Sequence, residues 1–326
     1  MRARATAFAL SLQAVALAHV APAGAEGPVS HHRGESARRS AIVDYWTPER
    51  LRSAEPRDLT AASRVPASGD PLAAASGGKP GFVAPVGPAG AGGGSTPGAG
   101  PASDKNRGAA HEVLSFDVPP NTVHGKVFAK DRGGPFQCSA SAVASENRSV
   151  VFTAGHCVRL DPYGWARKFI FIPSYRERAQ PFGTWTWDTF LVPSKWVKRQ
   201  SSNYDLAAVV LQPRDGVPVQ DVVGGVGFAW NQPRTQTYRS FGYPANYFLG
   251  ERMMACLSAP RRAPDFGRGP RMVGMTCDMG KGSSGGGWLI QDRFLNSVQS
   301  LGRRNFSAGP YFGKSARRVY GRAQRQ

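Results

Sequence analysis

Beyond its first two dozen residues the chain has no apolar run approaching the roughly 20 residues of a membrane-crossing helix, so no later segment is expected to span a bilayer. Cysteine is scarce. The four cysteines, Cys138, Cys157, Cys256 and Cys277, never fall in a C-x-x-C spacing, which argues against a zinc ribbon or a thioredoxin-like redox pair. Three pairings are open to them. No internal repeat points to a solenoid. No basic-aromatic platform or known binding motif points to specific nucleic-acid recognition. Val222-Val223-Gly224-Gly225-Val226-Gly227 is followed by no Lys-Ser/Thr, so it is not a phosphate loop. His31-His32 stands without further ligands nearby, and no metal is expected.

Acidic residues are also few, 22 against 41 Lys and Arg, giving a net charge of +19. Residues 1–110 carry +4 of it and residues 111–326 carry +15. That field favours anionic surfaces or polyanions as partners; keeping an exported chain soluble is the plainer use of it.

What is present divides into three parts. Arg2 and Arg4 precede an apolar run from Ala5 to about Val20, then Ala23-Gly24-Ala25. A basic start, a short alanine-rich core and an Ala-x-Ala end predict a secretory signal over 1–25, and hence a secreted or periplasmic protein. Residues 26–110 are rich in Gly and Pro and show no sustained period, which predicts a largely disordered propeptide and linker. One patch in it, Ile42-Val43-Asp44-Tyr45-Trp46, is apolar enough to dock on the folded part. Over 111–326, short runs such as Val150-Val151-Phe152-Thr153 and Phe169-Ile170-Phe171-Ile172 alternate with Gly, Pro, Asn and Asp, the pattern of an all-β domain. One helix is expected, at about 315–325.

Three segments carry chemistry. Thr153-Ala154-Gly155-His156-Cys157 places a histidine at the end of a strand, where its ring can be held for general-base work. Asn203-Tyr204-Asp205 opens the apolar run Leu206-Ala207-Ala208-Val209-Val210, and a carboxylate entering a core needs a partner such as an imidazole N–H. Gly282-Ser283-Ser284-Gly285-Gly286-Gly287 sets a serine among glycines that let backbone N–H groups converge on a developing oxyanion. Singly, each has a bland reading: a structural histidine, a turn aspartate, a Gly/Ser turn.

Together, in the order His, Asp, Ser, with T-A-G-H-C and G-x-S-G-G, they resemble the chymotrypsin family of serine peptidases over about residues 115–320. The exported bacterial trypsin-like and glutamyl-endopeptidase-like branch fits Gly125-Lys126-Val127-Phe128, Tyr243-Pro244 and Gly309-Pro310-Tyr311-Phe312-Gly313. The resemblance implies two packed six-stranded antiparallel β-barrels with the catalytic cleft between them. It implies His156, Asp205 and Ser284 as the triad, and the N–H groups of Gly282 and Ser284 as the oxyanion hole. It also implies a cleft strand at Ser300-Leu301-Gly302, with Ser300 bonded to Asp205. Cys138 matches the usual partner of Cys157, and a second bridge, Cys256–Cys277, is expected beside it. No cofactor is implied, the partners are polypeptide substrates, and a monomer is expected.

Departures bear on activation and specificity. Ser283 stands where animal trypsins carry the aspartate that pairs with their new amino terminus. Asp278, six residues before Ser284, falls at the trypsin pocket-floor position and favours Lys or Arg before the scissile bond. Lys281, Arg303 and Arg304 favour acidic substrates instead, but Gln299 stands where glutamyl endopeptidases use a histidine. The competing reading is a catalytically inactive protein of this fold that binds polyanions.

Overall fold

The computed structural model describes residues 28–34, 39–59, 78–89, 108–263 and 269–326. The expected signal peptide, residues 1–25, lies outside them.

Six strands, most of them rich in Val, Phe or Ile, close the first barrel. His124–Asp131, Gly134–Ala142, Val150–Thr153, Ala207–Leu211, Trp185–Pro193 and Arg167–Pro173 pair antiparallel in that order, and the last pairs back to the first. Closure gives every one of these strands two neighbours in the barrel, and only stretches such as Thr189–Pro193 and Phe136–Gln137 keep an edge for further pairing. Val127, Phe128, Ala140, Val151, Phe152, Phe169, Phe171, Leu191 and Val209 are all buried, Phe152 against Phe228 and Phe312 of the second half.

The second half is also β, but its strands divide into two sheets. Gly81–Val83, Gly227–Trp230, Phe294–Val298, Gly287–Ile290, Tyr238–Gly242, Met254–Ser258 and His111–Glu112 form one. Pro260–Arg261, Val273–Met275, Phe306–Gly309 and Leu301–Arg303 form the other. One pair, Gly227–Trp230 with Phe294–Val298, is parallel. The sheets meet where Gly309 lies against Ser297 and Val298 so closely that a Cβ there would overlap both.

The closing helix, Lys314–Ala323, buries Ala316, Val319, Tyr320 and Ala323, the i, i+3, i+4, i+7 stripe of an amphipathic helix. Tyr320 stacks on Phe228 of the second half, with ring centroids 4.4 Å apart. Its hydroxyl donates to Ala144 O of the first at 2.7 Å.

Much of residues 26–110 that is described adds to this body, although its sequence shows no strand period. Val29–Arg33 extends the first barrel against Trp185–Pro193 through five residue pairs, and Gly81–Val83 joins the second half against Gly227–Trp230. Trp46 is buried, donating its indole N–H to Lys168 O at 2.6 Å. Glu55–Pro56 lies parallel to Phe136–Gln137. Backbone hydrogen bonds to an existing sheet edge ask little of side-chain pattern, which is why composition underpredicts this docking. Among the described residues no helix is long and apolar enough to cross a membrane.

Candidate active site

Neighbouring strands of the first barrel deliver the histidine and the aspartate together. Val150–Thr153 runs into a single 3-10 turn, Gly155–Cys157, and Ala207–Leu211 starts just past Asp205, with Ala207 opposite Thr153. The bond between Cys138 and Cys157 fixes the turn to Gly134–Ala142. Asp205 Oδ1 accepts the His156 backbone N–H at 2.8 Å, and Oδ2 accepts His156 Nδ1–H at 2.8 Å and the Ser300 hydroxyl at 2.5 Å. The His156 and Asp205 side chains are both wholly buried. A Cβ at Gly155 would stand 2.9 Å from Trp196 Nε1 and 3.0 Å from Asp205 Oδ1, so glycine is what lets the pair close up. With Nδ1 donating to the carboxylate, the Nε2 lone pair is the free basic position. Nε2 has no hydrogen-bond partner among the described residues.

Ser284 sits on a loop clamped from both halves. Ser139 N–H donates to Ser284 O at 2.7 Å, Ser139 Oγ–H to Gly282 O at 2.9 Å, and Gly285 N–H to Gln299 O at 2.7 Å. Gly282 and Gly285 take φ of +90° and +82°, left-handed backbone that a side chain resists. A Cβ at Gly285 would also overlap Thr153 Oγ1 and Ser139 O. The Ser283 hydroxyl turns back to Gly280 O at 2.6 Å.

The Ser284 hydroxyl donates to the carbonyl of Arg57 at 3.1 Å, and Gly282 N–H donates to the same oxygen at 3.2 Å. Residue 57 thus puts a carbonyl oxygen against the expected nucleophile and one of the expected oxyanion-hole donors. Nothing in its sequence signals this, since it lies in an aperiodic segment and acts through its backbone. The Arg57 side chain pairs with Asp131, which sequence reasoning also passed over because Asp131-Arg132-Gly133-Gly134 reads as an ordinary hairpin turn.

The specificity candidates are spread more widely. Leu301–Arg303 pairs with Phe306–Gly309 beside the site, and Gly302 faces Met279 O across a gap that a Cβ would narrow to 3.3 Å. Asp278 Oδ1 accepts Ala110 N–H at 2.8 Å and Oδ2 accepts the Tyr247 hydroxyl at 2.7 Å. That bond, with burial and the carboxylate charge behind it, pushes the Tyr247 phenol up to about 12. The second disulfide joins Cys256 and Cys277.

A closed six-stranded barrel against a second β half, with a buried His–Asp pair on the first and a glycine-bracketed serine on the second, is the arrangement of a serine hydrolase of the double-barrel type. Similar solved structures agree. A thermostable serine protease AL20 from an extremophilic microorganism is 35% identical, with 63% of this chain and 98% of that one aligned and a TM-score of 0.59. The protease Anisep from Arthrobacter nicotinovorans is 34% identical over 63% and 96%, also at 0.59. A Glu endopeptidase shares the fold at 19% identity and a TM-score of 0.56, over 68% and 98%. The chain belongs to the serine endopeptidases of the chymotrypsin/trypsin-like fold.

No family model matches the chain. An extracellular metalloprotease of Bacillus subtilis is 32% identical over 82 residues, so the alignment spans a quarter of each protein. A metal does not fit the candidate ligands here. Among the described residues the two clusters, Cys138/His156/Cys157 and Cys256/Cys277/Asp278, each contain a disulfide, whose sulfurs offer no thiolate.

Proposed function

We propose that this is an exported endopeptidase that cleaves peptide bonds through an acyl-enzyme on Ser284. The observation that carries the reading is the buried Ser300–Asp205–His156 chain, which fixes the imidazole with Nε2 as its basic nitrogen. His156 Nε2 takes the Ser284 hydroxyl proton as Oγ bonds to the scissile carbonyl carbon. The resulting oxyanion is held by the N–H groups of Gly282 and Ser284. The C–N bond then breaks, and His156 returns the proton to the departing amine. Water, deprotonated by the same nitrogen, frees the acid and restores Ser284. The acyl side of the substrate lies along Ser300-Leu301-Gly302 and the leaving side along Gly134–Ala142.

The amino-terminal region acts as a propeptide. Its carbonyl at Arg57 takes up the Ser284 hydroxyl and a hole donor, and its polarity prevents turnover. Gly134–Ala142 runs towards Ser284, and Glu55–Pro56 is parallel to it, whereas a leaving segment must run away from the scissile carbonyl. For the residue before the cut the reading is a basic side chain on Asp278. Each of its oxygens has accepted one donor and keeps one acceptor site for a cation. Export follows from the basic-apolar start and two disulfides.

The test is labelling of processed protein with a fluorophosphonate, beside Ser284→Ala and His156→Ala. Labelling of the parent alone supports the reading. An unlabelled, folded parent overturns it and brings forward the polyanion-binding alternative.

A further inference from the structure

Arg57 does more than lend a carbonyl. Its guanidinium donates to Asp131 Oδ2 at 2.6 Å, and this pair is almost wholly buried, with 10% and 3% of the side chains exposed. The guanidinium lies over the Phe136 ring at 3.7 Å from its centroid, with the Tyr163 ring 5.5 Å away on the next hairpin. The other carboxylate oxygen of Asp131 is held by Gly133 N–H at 2.8 Å. A Cβ on Gly133 would come 2.9 Å from the Tyr163 ring and 3.2 Å from Asp131 Oδ1, so the wall is closely packed around the anion. The Arg57 N–H donates to Gln137 O at 2.9 Å, one residue before Cys138, which fixes the recess on the leaving side of Ser284.

We infer that Asp131, Phe136 and Tyr163 form a guanidinium-binding subsite for an arginine of the substrate on the leaving side of the cleft. The amino-terminal segment occupies it in this structure. A flat cation between aromatic faces with a carboxylate at its edge is the environment that selects arginine over lysine. Once the segment leaves, Asp131 keeps the Gly133 N–H on one oxygen and loses its cation on the other, beside the Phe136 ring. Such an anion is costly to leave unpaired, so an arriving arginine gains what Arg57 gave up. Substrate and propeptide therefore compete for the same pocket, with opposite chain polarity. This rests on the peptidase reading for its consequence, but the pocket itself is testable without turnover.

The experiment has two arms. In the first, argininamide is titrated into the full-length Arg57→Ala protein and followed by tryptophan fluorescence and by chemical shift, with neutral citrullinamide as the isosteric control. Saturable argininamide binding is expected, at least about tenfold tighter than citrullinamide. It should be lost in Arg57→Ala/Asp131→Asn, where Asn still accepts from Gly133. Absence of saturation, or equal binding without Asp131, overturns the subsite. In the second arm, processed enzyme cleaves quenched peptides carrying Arg, Lys or Ala at each position after the scissile bond. One position should favour Arg over Ala by about tenfold or more in kcat/KM, and Asp131→Asn should bring the Arg and Ala peptides to within about twofold of each other. Equal cleavage of Arg and Ala peptides at every position overturns the inference although the peptidase reading stands. Argininamide binding by a protein that cleaves nothing supports the pocket and sinks only the peptidase reading.

Discussion

Ser284 and Arg57, 227 residues apart, share a hydrogen bond of 3.1 Å in which the hydroxyl of the serine is the donor. A hydroxyl has one proton. While it points at the Arg57 carbonyl it is not offered to His156 Nε2, which has no partner among the described residues. In the proposed mechanism the imidazole is held by Asp205 as base, while the Ser284 hydroxyl is bonded to Arg57 instead.

This relationship predicts slow labelling of the unprocessed chain. Arg57→Glu sets a carboxylate against Asp131 and should release the segment, because like charges in a buried site repel strongly. The unprocessed variant should react with a fluorophosphonate at least about tenfold faster than the unprocessed parent, approaching the processed enzyme. Equal rates in parent and variant count against a plug anchored by Arg57. Intact mass, checked alongside, establishes that neither has been cut.

Ser300 is expected to tune the triad without touching substrate through its side chain. Its hydroxyl and His156 Nδ1–H share Asp205 Oδ2, while the His156 N–H holds Oδ1. Ser300→Ala removes one of three donors and leaves the imidazole tethered, so kcat should fall about tenfold with KM within about twofold. Asp205→Asn misorients or mis-protonates the ring and should cost about 10³-fold or more in kcat. Steady-state kinetics on one quenched peptide separates the two, and a KM effect without a kcat effect at Ser300 would refute the positioning role.

The sequence made the candidate site residues legible because each sits in a local device: a histidine beside a bridged cysteine, an acid opening an apolar run, and glycines around Ser284. The strands of the first barrel were legible for the same reason, their Val, Ile and Phe runs being bounded by turn residues. Arg57 and Asp131 were not, since their meaning lies in a contact across 74 positions. Gly81–Val83 and Val29–Arg33 join sheets by backbone pairing, which leaves little mark on side-chain pattern. The two-sheet form of the second half, with its parallel pair at Gly227 and Phe294, depends likewise on close approaches such as Gly309 to Val298.

Acid should destabilise the fold through His124. Its ring is buried against Phe241, centroids 3.9 Å apart, and bonded to Ser141 Oγ at 2.7 Å. Burial pushes the imidazole from its usual 6.5 down to about 3. The unfolded chain takes up this proton once the pH drops below about 6.5, and the folded protein does so only near 3. The stability linked to His124 is therefore full above 6.5 and lost as the pH falls through that window. Between about pH 7.5 and pH 4.5 the loss is on the order of 2–3 kcal/mol from this group. His124→Phe keeps the stacking and removes the titration, so urea unfolding at the two pH values should show a smaller difference than in the parent. An unchanged difference would place the acid sensitivity elsewhere.

Tyr320 should matter to stability far more through its ring than through its hydroxyl. The ring lies flat on Phe228, the hydroxyl donates to Ala144 O, and Ala144 N–H in turn donates to Val226 O, so the closing helix pins the junction of the two halves. Tyr320→Phe removes one buried hydrogen bond, worth about 1 kcal/mol, and leaves the stack. Tyr320→Ala empties a ring-sized space and should cost about 3–5 kcal/mol. Because His156 and Ser284 come from opposite sides of that junction, the alanine variant should also lose kcat before it unfolds, while the phenylalanine variant keeps it. Unfolding midpoints measured with peptide turnover at a temperature where both variants remain folded would show this. A cost for Tyr320→Phe equal to that of Tyr320→Ala would mean that the hydroxyl, not the packing, ties the halves together.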